Sequence, residues 1–238
     1  MREGLIWELF FPIRCPVCLG ITTSKKRGIC EECIPYLQYI EEPRCKKCGK
    51  RVMQEEIEYC YDCTKHPRSF EEGVSLLDYS LPWVRRVMAQ IKYQNHRQYL
   101  DVLCREFYQK YRKKVEQWNC EVMLPVPIHN SRRRKRGFNQ AEEIAWRLGE
   151  LFEIPVDCSC LKRVKKTLPQ KELNSRERMN NLKGAFAAKK IKQSYKKVLL
   201  VDDIFTTGST AEICTRELKA IGVEQVYILT LAIGRGTS

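Results

Sequence analysis

The 238-residue sequence has no apolar run that approaches the ~20 residues of a membrane-spanning helix. Glu8 interrupts the apolar stretch near the first residue, and no small-residue cleavage site of a secretory signal follows it. The 13 cysteines are an odd number, which disfavours a secreted disulfide scaffold. We therefore expect no membrane span and a reduced, cytoplasmic location.

Acidic residues are scarce relative to basic ones. The chain has 43 Lys and Arg against 29 Asp and Glu, a formal net charge of +14. Most of the excess follows residue 70, where 31 basic and 19 acidic residues lie. This balance favours an anionic partner, such as nucleic acid, a phosphate ester or an acidic membrane surface, without choosing among them.

Eight cysteines precede residue 64, and all belong to C-x-x-C pairs. The spacing C-x2-C-x11-C-x2-C occurs twice, thirty residues apart, with few large apolar residues in the gaps. Such a segment buries too little apolar surface to fold without a staple. Four thiolates suit tetrahedral zinc, so we predict two closed, structural zinc sites in a module over residues 1–68. Pairing within each repeat is the simpler arrangement, and a cross-braced one stays open. The predicted ligands are Cys15, Cys18, Cys30, Cys33, Cys45, Cys48, Cys60 and Cys63.

From about residue 69, segments with helical and strand periodicity alternate. The predicted strands are 74–79, 120–125, 156–161, 197–201 and 225–233. The predicted helices are one or two over 81–117, then 138–151 and 209–221. Such alternation predicts an α/β domain over residues 69–238, with a parallel sheet covered on both faces. The basic stretch 162–182 is a long loop and a candidate lid.

The segment 198–210, VLLVDDIFTTGST, carries the strongest chemical signal. It is a buried strand with two acids, followed by a small-residue turn that opens a helix. Backbone N–H groups at the start of that helix form a cradle for a phosphate dianion. The carboxylates of Asp202 and Asp203 can hold two vicinal hydroxyls, or a Mg²⁺ ion that contacts them. The pattern therefore predicts a ribose 5-phosphate site. Its predicted phosphate cradle is Thr206, Thr207, Gly208, Ser209 and Thr210.

This segment closely resembles the signature of type I phosphoribosyltransferases, which bind 5-phosphoribosyl pyrophosphate (PRPP). Other segments resemble the ComF/GntX family over nearly the whole chain, among them IKY at 91–93, LPVP at 124–127 and RGFNQ at 136–140. The resemblance implies a Rossmann-like phosphoribosyltransferase fold behind a zinc module, Asp202 and Asp203 on the ribose, and Mg²⁺ bound with PRPP. It also implies a role in DNA uptake, with a competence helicase or translocation protein as a partner.

The resemblance implies a pyrophosphate-binding loop at 125–130 and a flexible catalytic loop at 165–180, which closes and excludes water. Basic side chains and backbone donors suit a pyrophosphate. A solvated or snorkelling side chain is the plainer interpretation of each basic residue. The candidate residues are Lys92, Arg136, Gln140, Arg176 and Arg178.

Two functions stay open on the sequence. One is a PRPP-dependent transferase whose acceptor is unidentified. The other is a competence factor that binds single-stranded DNA, in which the site recognises a ribose phosphate or uses PRPP only as a regulatory ligand. Aromatic residues among basic ones are candidate stacking platforms for bases, although their helical spacing also suits core packing. They are Tyr93, Tyr99, Tyr108, Tyr111 and Phe138.

Overall fold

The computed structural model describes residues 12–22, 24, 27–165, 167, 177, 181–189 and 195–234. In this part of the chain, one parallel sheet has the strand order β1-β6-β5-β2, and β3 and β4 form a separate antiparallel pair. The strands are β1 (Gly73–Asp78), β2 (Val122–Pro125), β3 (Leu161–Arg163), β4 (Phe186–Ala188), β5 (Lys197–Phe205) and β6 (Gln225–Ile233).

The helices are α1 (Tyr61–Lys65), α2 (Pro82–Gln94), α3 (Gln98–Trp118), α4 (Asn130–Arg136), α5 (Gln140–Phe152) and α6 (Ser209–Ala220), with a 3₁₀ helix at Glu31–Tyr36.

Apolar cores cover both faces of the sheet. Leu199 and Val201 of β5 belong to the core that includes α2, α3 and α5. Val198 and Leu200 alternate with them and belong to the core of the opposite face, with α6 and the β3–β4 pair. The predicted α/β architecture is therefore confirmed.

Asn139 fixes the segment that follows β2. Its Oδ1 accepts a hydrogen bond from the Ala141 N–H at 3.2 Å and caps α5, while its Nδ2 donates to the Val126 carbonyl at 3.0 Å. This side chain is buried. The start of α5 and the end of β2 are therefore held together, which positions α4 between them.

The cysteine-rich part packs directly against the sheet. The Ile40 N–H donates to the Leu76 carbonyl at 3.0 Å, and Tyr39 forms an antiparallel bridge with Leu77, so this segment pairs with the outer edge of β1. The cysteines of the second repeat share a core with Phe70, whereas Cys15 and Cys33 of the first repeat pack with Val102 of α3. Because these contacts cross it, the domain boundary after residue 68 stays a prediction.

Two details differ from the strand predictions. The strand predicted at 156–161 is wrong, since only Val156 pairs there, through a single parallel bridge to Met123, and β3 begins at Leu161. Strand β5 continues past the acids to Phe205, because β6 pairs with it that far. Within the described residues, each helix is too short or too polar to cross a bilayer.

Candidate ribose-phosphate site and zinc sites

A cavity of about 600 Å³ opens at the carboxyl end of the sheet. The ladder between β2 and β5 ends at Pro125 and Val201, and residues that follow it on both segments line the cavity. The crevice outside the carboxyl ends of parallel strands is where open α/β sheets bind ligands. Its polar and charged lining includes Lys92, Arg132, Lys135, Arg136, Gln140, Arg163, Asp202, Asp203, Thr206 and Thr210.

The two acids of β5 point to opposite faces of the sheet, since they are consecutive residues of a strand. Asp203 faces α2, where its Oδ2 lies 2.6 Å from Lys92 Nζ. Burial lowers the pKa of Lys92, but the Asp203 charge outweighs it and leaves this pKa above its ordinary value. Burial, aided by the negative charge of Asp203, raises the pKa of Asp202 to about 8.

Gly208 shapes the predicted phosphate cradle. Its φ of +76° is left-handed, and a Cβ atom there would lie 2.5 Å from Phe205 Cζ. Thr206, Gly208 and Thr210 line the cavity. Thr207 and Ser209 lie outside its lining, and their hydroxyl oxygens lie 3.0 Å apart. The structure thus brings three of the five predicted cradle residues to the cavity.

Arg68 and Glu212 support the cradle from behind. Arg68 Nη2 donates to the Thr207 carbonyl at 2.6 Å. The buried carboxylate of Glu212 accepts hydrogen bonds from the N–H and hydroxyl of Ser69, at 2.8 and 2.7 Å. These contacts tie the turn and the first turn of α6 to the segment that joins the cysteine-rich part to β1.

The basic wall of the cavity contains three of the predicted pyrophosphate residues. Lys92, Arg136 and Gln140 line the cavity, and Arg136 Nη1 donates to Gln140 Oε1 at 3.1 Å. Arg176 and Arg178, which the sequence also predicts, lie outside the described residues.

Two arginines that the sequence did not single out, Arg132 and Arg163, also line the cavity. Burial, followed by repulsion from Arg132, lowers the pKa of Arg163 to about 10. Burial and the Arg136 charge lower the pKa of Arg132. Arg132 was one of five consecutive basic residues that nothing in the sequence distinguished. Arg163 reaches the cavity because β3 pairs with β4, placing its guanidinium 5.0 Å from the centre of the Phe186 ring.

Buried hydrogen-bond donors face the same cavity. Among the described residues, Gln140 Nε2 and Arg163 Nε are buried and have no hydrogen-bond partner. Since buried polar groups in folded proteins nearly always have partners, these donors fit an anionic ligand. Five basic side chains and two carboxyl groups line the cavity, which adds to this preference.

The cysteines form two separate four-thiol sets, and each C-x2-C-x11-C-x2-C repeat supplies one set. Within each set, the ligand atoms lie within 4.8 Å of one another. In the second, hydrogen bonds from Cys48, Cys60 and Cys63 lower the pKa of Cys45, which favours a thiolate. Both sets fit tetrahedral zinc. Pairing within each repeat is therefore confirmed, and the cross-braced arrangement is not adopted.

Comparison with known proteins finds one family and several similar proteins. The double zinc ribbon domain family matches residues 6–64. Competence protein F of Haemophilus influenzae is 33% identical over 228 residues, covering 94% of this chain and 98% of that protein. The DNA utilization protein YhgH of Salmonella typhimurium is 27% identical over 226 residues, covering 94% and 98%. A solved purine phosphoribosyltransferase from Pyrococcus horikoshii aligns with a TM-score of 0.35 and 20% identity, covering 56% of this chain and 72% of that one.

Proposed function

Because the chain belongs to the competence protein F (ComF) family, we propose that it is a phosphoribosyltransferase-like protein of DNA uptake and utilisation that binds PRPP at the carboxyl end of its sheet. One observation carries the proposal. An acid pair and a glycine-shaped turn at a helix N-terminus face the same cavity as an excess of basic side chains. A ribose that carries phosphate groups at both ends matches that distribution of charge.

Each part of PRPP has a place in this proposal. The 5-phosphate binds at Thr206, Gly208 and Thr210, where α6 begins and its first N–H groups have no partner within the helix. The ribose hydroxyls bind at the acids of β5. The pyrophosphate binds at the basic wall, where the two unpartnered buried donors lie.

Magnesium fits this site only together with the ligand. Among the described residues, only the two cysteine sets bring three or more metal-ligating groups together. Mg²⁺ prefers six oxygen ligands and keeps several from water and substrate phosphates. The carboxylates of β5 would therefore supplement oxygens that the pyrophosphate brings. Bound there, Mg²⁺ would neutralise charge on a leaving pyrophosphate.

Transfer of the phosphoribosyl group to an unidentified acceptor is the reaction that this arrangement would support. Breaking the bond between C1 and pyrophosphate develops positive charge at the sugar and negative charge on the leaving group. The cations of the basic wall are placed to stabilise the departing anion. For the protein as a whole, we propose a cytoplasmic location and a competence helicase or translocation protein as a partner, on the basis of family membership.

Calorimetric titration of PRPP with Mg²⁺ into the zinc-loaded protein tests the proposal. We expect binding in the parent protein and its loss in the Asp202→Asn/Asp203→Asn double variant. Asp101→Asn is a matched control, because Asp101 is exposed on α3 and pairs with Arg147. Absence of PRPP binding by the parent protein would overturn the proposal.

A second candidate function is the binding of single-stranded DNA, with the same cavity taking one ribose phosphate of the strand. The charges of α4 favour it, since Arg134 is basic, exposed and outside the cavity lining. A ligand confined to the cavity leaves this side chain without a role.

A further inference from the structure

We infer that the Tyr93 ring and the cations of α4 form a path for single-stranded nucleic acid along the mouth of the cavity, with one base stacked on Tyr93. The inference rests on the proposed ribose-phosphate site and extends it outward to a polymeric ligand.

The structure separates Tyr93 from the other aromatic residues that lie among basic ones. Tyr99, Tyr111 and Phe138 are buried in apolar cores or between helices. Tyr108 packs edge-on against Phe152, with the ring centres 4.9 Å apart. Tyr93 is 60% exposed and lines the cavity from the last turn of α2. It is therefore the member of this set that offers an accessible ring at the cavity.

A basic side chain fixes this ring at the rim. The guanidinium carbon of Arg136 lies 5.4 Å from the centre of the Tyr93 ring, within the range of a cation–π contact. Proteins that bind single strands combine aromatic platforms with a positively charged groove. Tyr93 provides the aromatic platform, and Arg136 provides the first positive charge of the groove.

Helix α4 provides the rest of the groove. Of its basic residues, Arg133 forms an ion pair with Glu142 at 2.9 Å. No carboxylate within salt-bridge distance neutralises Arg132, Arg134, Lys135 or Arg136 in the described part of the chain. Four such cations on two helical turns repel one another, so a ligand with several phosphates relieves an unfavourable field.

The position of Arg134 favours a polynucleotide over a free nucleotide as the ligand. Arg132, Lys135 and Arg136 line the cavity, where the phosphates of one small molecule would reach them. Arg134 is exposed and does not belong to that lining. A second phosphate outside the cavity is what its charge would contact, and a polynucleotide supplies one.

Fluorescence anisotropy with a short, fluorescein-labelled oligothymidylate tests the inference. Tyr93→Ala should weaken binding by about 5- to 140-fold, the range expected for one base stacked on an aromatic ring, and Tyr93→Phe should restore it. Tyr36→Ala is the matched control, because Tyr36 is 61% exposed on the first zinc ribbon and lies outside the cavity lining. Both positions are exposed, so neither variant removes core packing.

Salt dependence tests the contribution of the helix. Replacing Arg134 by Gln should make the slope of log affinity against log salt shallower by about 0.7, the value for one phosphate contact on a single strand. Arg112→Gln on α3, whose side chain pairs with Glu116, should leave the slope as it is. Calorimetry should show that Arg134→Gln keeps the PRPP affinity of the parent protein.

Three results would overturn the inference. One is no oligothymidylate binding by a parent protein that binds PRPP, which would leave the proposed PRPP site standing. Another is equal loss in Tyr36→Ala and Tyr93→Ala, which would place the strand elsewhere. The third is thymidine 5′-monophosphate binding as tightly as the oligomer in every variant, which would identify a mononucleotide site.

Discussion

The ammonium nitrogen of Lys92 lies 2.6 Å from a carboxylate oxygen of Asp203, so an ion pair joins α2 to β5 at the inner wall of the cavity. The two side chains are only 21% and 13% exposed. Removing one partner of a buried ion pair leaves the other charged without compensation.

Lys92→Met should therefore lower the free energy of unfolding by about 3 kcal/mol, and Lys92→Met/Asp203→Leu should recover most of that loss. Urea denaturation measures both. Arg112→Met breaks a pair whose side chains are 60% and 52% exposed and should have a much smaller effect on the free energy of unfolding. If Lys92→Met and Arg112→Met lowered the free energy of unfolding equally, the ion pair between Lys92 and Asp203 would contribute no more than an exposed pair.

Asp202 should make the stability of the protein fall as pH rises. Its pKa of about 8, raised by burial and by Asp203, is above the ~3.9 of an unfolded Asp, so the folded state holds an extra proton between these values. The contribution is complete below about pH 4 and is lost by the time pH passes about 8, at up to 1.4 kcal/mol per pH unit. Relative to the parent protein, Asp202→Asn should therefore gain stability as pH rises from about 4 to about 8, and the difference should stay constant above that. If the free energy of unfolding changed with pH by the same amount in both proteins across this range, the raised pKa of Asp202 would be contradicted.

Gly208 should be intolerant of a side chain. Gly208→Ala places a non-glycine residue at positive φ and a Cβ atom 2.5 Å from Phe205 Cζ. Gly222→Ala is the control, because its φ is +103° but no atom lies within 4 Å of the added Cβ. The control should cost about 1–2 kcal/mol of backbone strain. Gly208→Ala should cost more and should also abolish PRPP binding, as calorimetry would show.

Arg163 should contribute to ligand binding at the expense of stability. Its burial and its repulsion from Arg132 are unfavourable in the free protein. Arg163→Gln should therefore not lower the free energy of unfolding, while the affinity for pyrophosphate with Mg²⁺ should fall about tenfold or more. Arg133→Gln removes a basic residue that Glu142 already neutralises and should leave that affinity close to the parent value. An unchanged affinity in Arg163→Gln would exclude contact with the pyrophosphate.

The two zinc sites should differ in what their loss does. Cys48 is 2% exposed in the core that contains Phe70 and Val198, whereas Cys18 is exposed. Both Cys48→Ser and Cys18→Ser should lower the zinc content from two ions to one. Only Cys48→Ser should strongly lower the melting temperature, since it disrupts a core shared with the sheet. A similar loss in both variants would contradict this difference.

Local patterns in the sequence predicted the parts of the site that depend on short spacing. The acids of β5 and the glycine turn lie within a few residues of one another, and each cysteine repeat spans only 19 residues, so their geometry follows from short stretches of chain. The predicted α/β architecture and the pairing within each cysteine repeat are confirmed for the same reason.

Features set by distant contacts were not predictable in this way. Arg163 enters the cavity only because β4, more than twenty residues later, pairs with its strand. Val156 and Leu161 belong to an apolar stretch, but they contact different partners, so no single strand forms. Helical spacing made Tyr93 and Tyr99 equivalent, and only the packing of α2 and α3 exposes one and buries the other.

The pairing of residues 39 and 40 with β1 has a consequence for the behaviour of the whole protein in solution. An unpaired outer strand is a template on which a second chain can assemble, and β1 forms one side of the sheet. The segment that covers it lies between the two cysteine sets and is held at both ends by them. Loss of zinc would release this cover and bare the edge of β1. We therefore expect zinc-depleted protein to self-associate, so that metal content would govern the colloidal stability of the protein as well as its fold.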